Sequence, residues 1–145
     1  MASSQPIALR PGWFNALLSR PLYARFRWLL CLALLVTAVA HIPVIEMHMV
    51  EAPYVGWLFM FLTVVCLQLA VLVALFDVPA AYVAALLASG LALTAYLVSR
   101  TVGMPEIHDD IGNWLEPFGV AAVVAEAVGV VTAARILYRM ARRHR

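Results

Sequence analysis

Lysine is missing from this chain and charge of either sign is scarce: ten arginines and eight acids bring charged residues to 12 % of 145. Soluble domains run near a quarter charged and about half apolar. Here 65 % of residues are hydrophobic and mean hydropathy is +0.92, so a soluble fold could not hide the apolar surface. Cysteine is rare as well. Cys31 and Cys66 each fall inside an apolar run, roughly 10 Å apart in depth at the helical rise, too far for a disulfide and uninformative about redox compartment. No stretch alternates polar with apolar residues, which excludes a membrane β-barrel and leaves helices as the only way across lipid. A nucleophile elbow, a phosphate-binding glycine loop and fixed metal spacings such as Cys-x-x-Cys or His-Glu-x-x-His are also absent, which argues against an enzyme.

What remains is four long apolar runs, at about 28–45, 55–76, 80–99 and 117–138. They predict an all-α membrane protein, a bundle of four transmembrane helices with one domain and no room for a soluble one. Asp77-Val78-Pro79 makes a tight reversal between the second and third runs, and Pro117 sits in the first turn of the fourth, where its missing N–H costs nothing. Nine of the ten arginines lie in a basic leader, 1–27, and towards the other terminus, where the tail 139–145 is basic. The positive-inside rule therefore predicts cytoplasmic termini in a cell membrane, with 41–54 and 100–116 as outer loops. The same distribution speaks against a nucleic-acid partner and for the lipid bilayer. Ala38-Val39-Ala40 before His41 also resembles a signal-peptide cleavage site, but a 27-residue leader is long for one and the apolar stretch runs on to Ile45.

That topology gathers metal-ligand types on the outer side: His41, Glu46, His48 and Glu51 in the first loop, Glu106, His108 and Asp109 in the second, with Asp110 and Glu116 beside them. Met47-His48-Met49, with Met104, adds thioethers to imidazoles, a donor set that suits copper, while imidazole and carboxylate alone lean to zinc, Cu(II) or iron. The expected site is His41, Glu46, His48, Glu51, His108 and Asp109 around a transition metal, with the two loops meeting over the bundle. A plainer reading is that outer loops must be polar and that acids collect where arginines are excluded. Loop 100–116, with two glycines and the apolar Ile107, Ile111 and Trp114, reads as a folded cap. Arg100, the one basic residue outside, is expected to pair with Asp109, Asp110 or Glu116, or to bind an anionic substrate.

Glu126 lies nine residues beyond Pro117, about 13 Å into the membrane by helix rise. An ionisable group at that depth is a functional candidate facing the bundle. Gly119, Ala122, Gly129 and Ala133 share its face as a small-residue packing stripe, and Thr37, Thr63, Gln68 or Thr94 could accept or donate a hydrogen bond to it.

His41-x-Pro43 with Glu51-Ala-Pro-Tyr-Val-Gly56, and Ser99-Arg-Thr-Val-Gly-Met-Pro105 with Asp109-Asp-Ile-Gly-Asn-Trp114 and Glu116-Pro-Phe-Gly119, make residues 28–138 resemble a family of small four-span membrane proteins from high-GC Gram-positive bacteria. The resemblance implies the topology and no activity. Four functions follow from the residues themselves. The first is a metal-binding accessory protein, copper favoured; the second is a non-catalytic structural or interaction subunit of a larger membrane complex. The others are a small proton-coupled transporter using Glu126 and Arg100, and a bis-His haem protein using His41 and His108.

Overall fold

A computed structural model describes residues 22–143; most of the basic leader, with Arg10 and Arg20, and the last two residues of the tail lie outside the described residues. Four helices make up the fold: α1 (Arg27–Glu51), α2 (Pro53–Leu75), α3 (Pro79–Thr101) and α4 (Pro117–Arg143). Each is long and apolar enough to cross a membrane, and together they form the all-α four-helix bundle of a multi-pass membrane protein. Proline opens α2, α3 and α4, where an orphan first-turn N–H is not missed and φ is already helical.

Two boundaries differ from the sequence reading. The segment expected as an outer loop at 41–54 is helix: α1 continues through Pro43 to Glu51, and Ala52 alone separates it from α2. Pro43 can donate no bond to the carbonyl of Val39, but a proline is tolerated inside a membrane helix where neighbouring groups re-satisfy the backbone. His41 and His48, seven residues apart, therefore share the buried face of a helix, while Glu46 and Glu51 are exposed. At the other end α4 runs on into the basic tail.

The helices form a ring in which α1 packs on α2 and α4, and α4 on α3, while α2 and α3 touch only sparsely. Close approach of α1 and α2 depends on Gly56, where an added Cβ would stand 2.6 Å from Met49 Cγ and 2.9 Å from the Met49 backbone nitrogen. The stripe on α4 lies in its contact with the neighbouring helices, for Ala122, Gly129 and Ala133 are buried. A Cβ on Gly129 would reach within 2.7 Å of Ser89 Oγ on α3. Leu30, Leu34, Cys66, Val73, Tyr82, Ala133 and their neighbours fill the core of the half towards the arginine-rich end.

The connection 102–116 is the folded cap the sequence suggested. Gly103, at φ +86°, ends α3 in the left-handed region open to glycine. Met104 and Ile107 then pair their backbones across a tight turn. Ile107 is buried against Ala52, Val55 and Phe59 at the α1–α2 junction, and Tyr54 donates its hydroxyl to the Pro105 carbonyl at 2.7 Å. The α1–α2 junction and the cap thus meet over the same end of the bundle through apolar and backbone contacts.

Candidate functional site

Because α2 and α3 diverge, they leave a cavity of about 310 Å³ in the half of the bundle beneath the cap, which closes it above. Small and apolar side chains such as Val44, Leu62, Leu91 and Ala95 make most of its wall. Its polar lining is short: His41 and His48 from α1, Tyr96, Ser99 and Arg100 from α3, Asp110 and Glu116 from the cap, and Glu126 from α4. Pockets of this kind, apolar with a few placed polar groups, are the usual form of a small-molecule site.

Seven residues apart on α1, His41 and His48 share one face. Each donates its Nδ1 hydrogen to the carbonyl four residues earlier, His41 to Thr37 and His48 to Val44, both at 2.8 Å. A carbonyl can only accept, so in the neutral form of either ring the hydrogen sits on Nδ1 and Nε2 is an acceptor. Phe59 of α2 stands edge-on between them, its centroid 4.8 Å from His41 and 4.9 Å from His48. Below, His41 Nε2 lies 3.9 Å from Glu126 Oε1.

Glu126 is only 2 % exposed and is turned into the bundle. Neither the three threonines nor Gln68, its expected partners, bond to it; Gln68 is exposed and Thr94 donates to the Gly90 carbonyl instead. Among the described residues three buried side-chain atoms lack a hydrogen-bond partner: Glu126 Oε2, Arg100 Nε and Thr63 Oγ1. Two of the three belong to residues lining the cavity. A buried polar atom without a partner carries a penalty of about 1–3 kcal/mol, more when charged, so the cavity holds two groups suited to bonding whatever enters it.

Arg100, 7 % exposed, pairs with Asp110 through the carboxylate and also reaches its carbonyl at 3.3 Å, while its guanidinium lies 5.0 Å from the Tyr96 ring. Of the three acids expected as partners, Asp110 is the one it takes. Glu116 acts elsewhere, since its carboxylate accepts from the backbone N–H groups of Phe118, at 3.0 Å, and Gly119, which caps the first turn of α4. Asp109 and His108 are exposed on the cap, and Glu46 and Glu51 are exposed on α1. Among the described residues no three of His, Cys, Asp and Glu are grouped as a metal ion requires. The six residues expected to share a metal are thus divided: His41 and His48 line the cavity, and Glu46, Glu51, His108 and Asp109 do not. The extension of α1 puts Glu46 and Glu51 on its exposed side, away from His41 and His48, and the cap leaves His108 and Asp109 exposed.

Sequence reasoning misses Asp77, which reads as a bare turn residue. It is buried at the arginine-rich end with φ +50°, accepting from Tyr82 Oη, from Ala24 N–H at 3.1 Å and from Arg27 at 3.4 Å. Its carbonyl takes the Leu22 N–H at 2.9 Å. The available signal is its isolation in the sequence: it is the one acid between Glu51 and Glu106.

No family model, no curated protein and no solved structure matches the chain.

Proposed function

We propose that this protein is a small carrier-type membrane protein that takes a lipophilic amine into the cavity of its outer half, with the ammonium at Glu126 and the apolar body among the walls formed by α2 and α3. The observation that carries the reading is the Glu126 carboxylate, buried and unpartnered at Oε2, lining an apolar cavity. The deep end offers acceptors: the two carboxylate oxygens and the bare Nε2 of His41. A donor-rich cation satisfies all of them, and an apolar wall desolvates its body at about 25 cal/mol per Å². Sparse α2–α3 packing supports movement of that wall during entry and exit.

The orientation belongs to the same proposal. Nine arginines flanking the ends support cytoplasmic termini in the cell membrane, which turns the cap and cavity outward.

The test is saturable binding of radiolabelled 2-phenylethylamine to the protein in nanodiscs, with empty nanodiscs as the blank. Binding is expected in the wild type and lost in both Glu126→Gln and the cavity-filling Ala95→Phe. Uptake no greater than the blank, or uptake that both variants retain, overturns the reading.

A further inference from the structure

Charge at the opposite end of the bundle is one-sided. Asp77 is the only acid there, and its carboxylate is taken by Ala24 N–H, Arg27 and Tyr82. Arg135, Arg139 and Arg142 form no ion pair among the described residues. Their spacing of four and three places them on one face of α4, where they line a hollow of about 600 Å³ together with Tyr138.

The guanidiniums are held there by aromatic faces. The Phe26 ring, just ahead of α1, lies 5.3 Å from Arg135 Cζ and 5.7 Å from Arg139 Cζ, and Tyr138 lies 5.7 Å from Arg142 Cζ. Such contacts favour a cation over a ring, and here they draw two like charges to a single ring. Like charges one helical turn apart repel, and an anion in the hollow would offset that repulsion.

The surroundings identify that anion as part of a lipid. Arg135 to Arg142 covers about 10 Å of helix axis, comparable to the depth of the headgroup layer. Tyr138 is exposed, as an interfacial aromatic would be. One turn deeper on the face of Arg135, Val131 is exposed and offers an apolar track. We infer that this hollow binds an anionic phospholipid, the guanidiniums taking its phosphate oxygens and an acyl chain lying along α4 past Val131. Planar guanidinium forks match phosphate geometry in a way a lysine ammonium does not, which agrees with a basic end built from arginine alone.

The experiment uses the full chain in an uncharged detergent, with native mass spectrometry following added phosphatidylglycerol, phosphatidylcholine or inorganic phosphate. Phosphatidylglycerol is expected to be retained in preference to phosphatidylcholine. Arg139→Gln should weaken it about fivefold and Arg135→Gln with Arg139→Gln about thirtyfold, at roughly 1 kcal/mol per arginine near the surface. Arg25→Gln removes an exposed arginine at the same end that does not line the hollow, and should change binding less than twofold. The pair Arg135→Lys with Arg139→Lys keeps charge and fold and should still lose several-fold. The inference is overturned if Arg25→Gln weakens binding as much as Arg139→Gln, if the lysine pair binds like the wild type, or if phosphatidylcholine is held equally. Displacement of the lipid by inorganic phosphate at equal concentration also overturns it, since the hollow would then be a plain anion site.

Discussion

His41 Nε2 and Glu126 Oε1 face each other at 3.9 Å across the contact of α1 with α4, beyond hydrogen-bond reach and with Glu126 Oε2 unpartnered. Among the described residues no backbone or side-chain donor is bonded to this carboxylate, so their packing does not depend on it. A buried charged or polar group without partners is often replaced by an apolar one without loss. Glu126→Leu is therefore expected to leave thermal stability in detergent unchanged or raise it by about 1 kcal/mol, while abolishing amine binding. A drop of several kcal/mol would show instead that the carboxylate holds the bundle together.

The same carboxyl should be chemically singular. Dicyclohexylcarbodiimide enters bilayers and reacts with carboxyl groups shielded from water. Glu126 and Asp77 are each 2 % exposed, but the Asp77 carboxylate is taken by Tyr82, Ala24 N–H and Arg27 while Glu126 Oε2 is unpartnered, and Glu46, Glu51, Glu106 and Asp109 are exposed. Peptide mapping after treatment in membranes is expected to place the adduct on Glu126, with labelling absent in Glu126→Gln and slowed by 2-phenylethylamine. Adducts spread over the exposed acids, at a rate the amine does not alter, would speak against a cavity at that carboxyl.

Metal retention separates the cavity reading from the donor-cluster reading. After equilibration with Cu(II) or Zn(II) and desalting, elemental analysis is expected to find well below one ion per chain, because the six donors divide between cavity and surface. A stoichiometry near one that falls in His48→Ala and in His108→Ala would restore a shared site between α1 and the cap.

Helix number, the tight turn at Asp77, the packing stripe of α4 and the folded cap are all legible in the sequence because each rests on a local or periodic signal: apolar length, proline placement or small residues at spacings of three and four. The end of α1 is not legible. Pro43 and the polar residues from His41 to Glu51 have the composition of a loop, yet the segment is helical and packs on α2, His41 and His48 on Phe59 and Met49 against Gly56. The cavity escapes for a related reason, since the sparse α2–α3 contact that opens it is a property of the ring of helices and of no single segment. Glu126 stands out through its depth in an apolar run, yet nothing local to it points to His41, whose own surroundings in the sequence have the look of a loop.

The remaining prediction concerns Asp77, which joins the described part of the leader to the α2–α3 turn. Its carboxylate accepts from Tyr82 Oη, Ala24 N–H and Arg27, and its backbone sits at φ +50°, a conformation that asparagine also tolerates. Asp77→Asn therefore preserves the turn while removing the charge, and should cost about 2–3 kcal/mol through weakened charge-assisted bonds. Tyr82→Phe removes one donor and should cost about 1–2 kcal/mol. Because the two side chains bond to each other, the double variant should be less destabilised than the two single losses added together, with a coupling of about 1 kcal/mol. Unfolding midpoints of the four proteins in detergent measure it, and strict additivity would mean that Asp77 holds the leader through Ala24 and Arg27 alone.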